Sequence, residues 1–139
     1  MGLPDWTPQQ SNFNQAISLD GTVNAPLGFV SDIVNYVGSG VLQWLYIGST
    51  DAQQDATDLL AIVIDDITLA PYDLGTMQGI LGQNINAPYT YMQWVAGATF
   101  WIAFKTPIYF NKSIVIQYQP VVAGPVTITS VGYIGAYKS

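Results

Sequence analysis

The sequence predicts an all-β fold: a single jelly-roll β-sandwich or barrel of about eight strands, carrying an extended N-terminal arm. Three observations point there. From residue 16 onward apolar residues recur with period two, the repeat of a strand with one buried face. Turn residues interrupt that pattern roughly every 8–12 positions, the rhythm of a sandwich or barrel. The chain has 139 residues, a usual size for one domain, and shows no internal repeat and no sustained helical periodicity.

Residues 1–15 (MGLPDWTPQQSNFNQ) are polar, hold Pro4 and Pro8, and read as the arm, with Trp6 and Phe13 as its large anchors. Residues 16–139 form the β domain. Ala16–Leu19 runs into Asp20-Gly21, read as a hairpin turn, and Thr22–Asn24 returns. Phe29–Val37 is the next strand, ended by Gly38-Ser39-Gly40. That triplet reads as a hairpin turn, since no Lys or helix follows as a phosphate loop requires. In Val41–Ile47 the residues Val41, Gln43, Leu45 and Ile47 share one face and Leu42, Trp44 and Tyr46 the other, so the strand is central or covered on both sides. A polar loop, Gly48–Asp58, precedes the short apolar run Leu59–Ile64, a buried strand; Asp65-Asp66 turns, and Ile67–Ala70 continues.

Pro71–Pro88 is the least regular stretch, long enough to be functional or to cover something, with room for one helical turn near Leu74–Leu81. Tyr89–Ala96 and Thr99–Lys105 alternate, the second placing Phe100, Ile102 and Phe104 against Trp101. Pro107 breaks that run. Ile108–Phe110 leads through Asn111-Lys112 to Ser113–Val121, which sets Ile114, Ile116 and Tyr118 inward and Ser113, Gln117 and Gln119 outward. After Ala123-Gly124-Pro125, the strand Val126–Tyr137 is rich in Val, Ile, Thr and Tyr, and its interior Gly132 and Gly135 mark a bulge or close backbone packing.

The missing residue types narrow the function. There is no His, Arg, Glu or Cys; all nine acids are Asp, and Lys105, Lys112 and Lys138 are the side-chain cations. Neutral-pH acid–base catalysis draws mostly on His and Glu, so the expectation is a protein that is not an enzyme and needs no cofactor. A net charge of −6 disfavours nucleic acid and anionic membrane surfaces. No run of about 18 apolar residues is present to cross a membrane as a helix. Only 9% of residues are charged while half are hydrophobic, which suits a surface covered by neighbours.

Asp51, Asp55 and Asp58 are weak candidates for a Ca²⁺ site. Their spacing lacks the alternate-residue ligands of an EF-hand, and the preferred reading is a solvated loop. Asp65 and Asp66 are adjacent, so as strand residues they would point apart, and a two-carboxylate hydrolase is not supported. Aromatics make up 13% of the chain and admit three readings: sandwich core, protein interface, or a row that stacks sugars. The interface candidates are Trp6, Phe13, Tyr72, Met77, Leu81, Tyr89 and Tyr91, on the arm, the 71–88 segment and the strand after it.

Four stretches carry a family resemblance: GSGVLQWLYIGS (Gly38–Ser49), LLAIVIDD (Leu59–Asp66), TPIYFNKSIVIQYQP (Thr106–Pro120) and VTITSVGYIGAYK (Val126–Lys138). Their order resembles the jelly-roll virion proteins of phages and viruses, notably small capsid, cement and decoration proteins. There a Gly-x-Gly turn opens an apolar strand, a strand ends in Asp-Gly, and a Pro-containing strand pairs with a Tyr-rich closing strand. The likeness covers about two-thirds of the chain and rests on apolar spacing and turns. Asp66 departs from it, standing where the pattern has Gly. The resemblance implies a non-enzymatic subunit of a capsid shell or surface whose partners are copies of itself or a major capsid protein. A receptor- or carbohydrate-binding sandwich, with a glycan as partner, is the alternative.

Overall fold

A computed structural model describes residues 15–77, 90–95, 99–104 and 107–136. Its elements are β1 (Gln15–Ser18), β2 (Gly21–Ala25), β3 (Ser31–Val37), β4 (Gly40–Ser49), β5 (Leu59–Ile64), β6 (Ile67–Asp73), α1 (Leu74–Met77), β7 (Thr90–Val95), β8 (Thr99–Phe104), β9 (Ile108–Phe110), β10 (Ser113–Gln119) and β11 (Val126–Ala136). All described pairings are antiparallel, in two sheets. One runs β1-β11-β4-β8-β7, with β2 also on β11 and β9 also on β4; the other runs β3-β10-β5-β6. The fold is an all-β sandwich.

The pairing is that of one long hairpin folded over on itself. β1 and β2 lie on β11, β3 on β10, β4 on β8 and β9, and β5 on β6. Rolling that hairpin adds the β11–β4 and β10–β5 contacts, and β7 extends the first sheet beyond β8. The inner faces merge into one core. Leu42, Leu45, Ile47, Ile102, Phe110, Ile128 and Ile134 come from the larger sheet; Val34, Leu60, Ile114, Ile116 and Tyr118 come from the smaller. The expected inward set of β10 is therefore found. Burial of such side chains is worth about 1.5–3 kcal/mol each, before the entropy of ordering them.

Several turns differ from expectation. Asp20-Gly21 is no hairpin: Gln15 to Ser18 pair with Ala136 to Tyr133, and Gly21 to Ala25 pair with Ser130 to Val126 in the same register. β1 and β2 are one strand with a local break. There the Gly132 N–H donates to Asp20 Oδ1 (3.1 Å), and Ser130 Oγ donates to the Leu19 carbonyl (2.7 Å). Asp20 thus serves as a side-chain rung in the ladder, a use that turn propensity does not distinguish from a reversal. Gly38-Ser39 is no hairpin either, for β3 and β4 lie in different sheets and the chain crosses between them. β3 starts at Ser31, leaving Phe29 and Val30 on an exposed loop. β6 runs through Pro71, which an edge strand tolerates: among the described residues no strand lies beyond β6 to need its missing N–H.

The centre of β4 holds the most consequential difference. Tyr133 pairs with Trp44 but Ile134 with Leu42, so Gln43 is skipped in a bulge. The extra residue reverses the side-chain phase. Leu42 joins Leu45 and Ile47 in the core, while Val41 moves to the outer face with Trp44 and Tyr46. β4 is central, between β11 and β8, as the sequence implies.

Candidate functional site: an uncharged aromatic sheet face

The outer face of the larger sheet is built by alternation. On β11 Val126, Ile128 and Ile134 point into the core, which turns Thr127, Thr129, Val131 and Tyr133 outward. The same rule on β4, β8 and β9 turns out Trp44 and Tyr46, Trp101 and Ala103, and Tyr109. Register gathers them: Tyr133 lies opposite Trp44, Val131 opposite Tyr46, and Tyr46 opposite Ala103. Trp44 meets Tyr46 edge-on with ring centroids 5.6 Å apart at 67°, and meets Tyr133 at 5.9 Å and 84°. Trp101 lies over Gly48, where a Cβ would fall within the indole ring, so the glycine makes room for the tryptophan.

Trp44, Tyr46, Trp101, Tyr109, Val131 and Tyr133 are each 37–53% exposed. At 150–250 Å² per aromatic side chain they leave roughly 500 Å² of apolar surface on this side of the sheet open to solvent, with Trp44, Tyr46 and Tyr133 in mutual contact at its centre. The described stretches of β4, β8, β9 and β11 contain no Asp or Lys, and the acids that reach β11, Asp20 at the Gly132 N–H and Asp51 at the Thr127 N–H, come from outside those strands. An uncharged, half-exposed aromatic face suits protein contact: each ring has apolar area to bury and loses little side-chain entropy.

The candidate cation ligands have other occupations. Asp58 is fully buried. Its Oδ2 accepts from Tyr118 Oη (2.6 Å) and the Asp55 N–H (3.1 Å), and its Oδ1 accepts from the Val121 N–H (3.0 Å). Burial, and then the bond to Asp58, push the Tyr118 hydroxyl well above its ordinary pKa, so it remains a donor. Asp51 caps the Gln53 N–H (3.0 Å) and reaches the Thr127 N–H on β11 (3.2 Å). Asp55 holds the Thr57 hydroxyl (2.6 Å) and N–H (3.0 Å), which lower its pKa. Among the described residues no group of three acids stands where it could hold a metal ion. The loop is exposed at Ala52, Gln53 and Thr57, and its carboxylates cap backbone N–H groups. Gln54 is buried within it with its amide unpaired, the least satisfied polar side chain among the described residues.

Of the interface candidates, Tyr72 sits on β6 opposite Leu60, Met77 closes α1, and Tyr91 sits on β7 opposite Ala103. Trp6, Phe13, Leu81 and Tyr89 lie outside the described residues. Trp44, Tyr46, Trp101 and Tyr109 were not among them. The alternation of β8 and β9 does set Trp101 and Tyr109 apart from core neighbours, but the bulge at Gln43 masks the outward pair on β4. The comparisons add no family: neither the protein-family models nor the curated proteins match this chain.

Proposed function

We propose that the chain is a non-enzymatic structural subunit that acts by assembly: a small capsid, cement or decoration protein, built as a jelly roll and resident in a virion. The observation that carries this is the uncharged aromatic face on β4, β8, β9 and β11. Left open, roughly 500 Å² of such surface is an aggregation hazard; paired with a matching surface it buries on the order of 1,000 Å², the size of a small specific interface. The rolled-hairpin pairing supports the jelly-roll assignment, since two interlocked Greek keys give that strand order. The lack of His, Arg, Glu and Cys supports a role without catalysis.

A second reading, a carbohydrate- or receptor-binding module, draws on the same exposed aromatics. Ring angles of 67° and 84° weigh against it, because neighbours standing edge-on give a sugar no coplanar platform.

Light scattering over a concentration series tests the proposal. The wild type is expected as a defined oligomer or larger assembly. Tyr46→Asp, which puts a charge at the centre of the face on an exposed position, is expected to give a smaller species with an unchanged β-sheet spectrum. A wild type that is monomeric at every concentration and gains thermal stability with a sugar would transfer the assignment to the glycan-binding reading.

A further inference from the structure

One end of the sandwich carries a second apolar surface, separate from the aromatic face. The loop of residues 26–30, between β2 and β3, packs on the loop of residues 120–125, between β10 and β11. The Gly28 N–H donates to the Pro120 carbonyl (2.9 Å), Gln119 Nε2 donates to the Gly28 carbonyl (3.3 Å), and a Cβ on Gly124 would sit 3.0 Å from Leu27. On this frame Leu27, Phe29, Val30, Val121 and Val122 all stand exposed, Phe29 by 69%. Beside them the outer face of the smaller sheet holds an open groove of roughly 140 Å³. It is lined by Val30, Leu59, Ala61, Thr68, Gln117 and Gln119. A cavity of about 150 Å³ with apolar walls accepts a benzene ring.

We propose that Phe29 of one copy seats in this groove of a second copy, and the second copy's Phe29 in the first, about a two-fold axis beside Val30. The occupant follows from three observations. The groove is large enough to receive one phenyl ring. Phe29 precedes the groove residue Val30 in sequence yet stays solvent-exposed, so ring and socket lie side by side on one subunit, as an isologous exchange requires. Neither the two loops nor the groove lining contains a charged residue, so a net charge of −6 puts no like charges into the seat itself. Asp32, whose carboxylate accepts from Gln117 Nε2 (3.0 Å) and Asn35 Nδ2 (2.9 Å), keeps its charge at the border of the groove, held there by those two amides. Two such ends with their grooves bury on the order of 1,000 Å², enough for a specific pair.

This inference rests on the assembly reading and gives the subunit a second contact, so that dimers made through one surface can propagate through the other. The test uses full-length protein carrying Tyr46→Asp, which silences the aromatic face, and follows mass by sedimentation equilibrium. That protein is expected to remain a dimer. Adding Phe29→Ala, or filling the groove with Ala61→Phe, is expected to raise the dissociation constant at least about tenfold. Mixing the two double variants is expected to restore a heterodimer, since one free Phe29 then meets one open groove. Dimers that persist in both double variants, or a Tyr46→Asp protein that is already monomeric, would overturn the Phe29 contact while an assembling wild type leaves the wider reading standing. A monomeric wild type would remove both.

Discussion

Asp58 and Tyr118 form a buried hydrogen-bonded pair. The carboxylate is wholly buried, and the hydroxyl, from a strand 60 residues later, is one of the donors that make this burial affordable. Tyr118→Phe keeps the ring in the core and removes the hydroxyl that donates to Asp58. Its expected cost is about 1–3 kcal/mol, read as a lower urea midpoint at neutral pH with an unchanged slope. An unchanged midpoint would mean that the Asp55 and Val121 N–H groups suffice to hold the carboxylate. None of this was legible in the sequence, where Asp58 stands in a polar loop among other acids. A carboxylate's partners are set by tertiary contact, and Tyr118 reads only as an inward strand residue.

Strands were more legible than the turns joining them. Period-two alternation, and for β5 a bounded apolar run, located the described strands to within a few residues, because β3, β4, β5, β8, β9, β10 and β11 each turn a face to a shared core. Turn chemistry was ambiguous where side chains replaced backbone partners, as at Asp20, and where a bulge reversed the phase, as at Gln43. The Asp65-Asp66 turn shows the same principle in a useful form. Both residues have positive φ, 52° and 66°, as the tight hairpin between β5 and β6 requires, although neither is Gly. Asp65 offsets this by reaching the β9–β10 turn, where its carboxylate accepts from the N–H groups of Asn111 (3.0 Å), Lys112 (2.6 Å) and Ser113 (3.2 Å); Lys112 also pairs with Asp66. Those bonds, Asn111 first, hold the Asp65 pKa below its ordinary value. A depressed carboxylate contributes stability that is full above about pH 4 and lost as pH falls through the folded-state pKa. Unfolding midpoints measured from pH 7 down to pH 2 should therefore drop on the acid side. Asp65→Asn should lower the neutral-pH midpoint and flatten part of that drop; a parallel curve would show that other acids, such as Asp55 and Asp73, carry it.

For the whole molecule, the all-β class was legible and the candidate surfaces were only half so. Composition indicated a chain with little charge for an exposed exterior. Which residues form the exposed faces depended on one bulge and on where β3 begins. The arm expected over residues 1–15 overlaps β1 by the single residue Gln15, so removing residues 1–13 deletes no described strand. The truncated protein should keep its melting temperature within a few degrees, with any loss of assembly showing in light scattering; unfolding would make the segment part of the sandwich.

Gln15 and Ala136 face each other across the ladder between β1 and β11. From that point the joined strand β1–β2 runs to Ala25, opposite Val126, and the loops bearing Leu27, Phe29, Val121 and Val122 begin just beyond. Eleven strand residues at about 3.3 Å each set the two places roughly 35 Å apart. The subunit therefore has poles: Gln15 and Ala136 stand at one, and the apolar loops crown the other. A label attached at position 15, which is exposed, would ride at the pole away from those loops, clear of the contact it is meant to report. In a layer of such subunits standing side by side, every such label would emerge on the same surface.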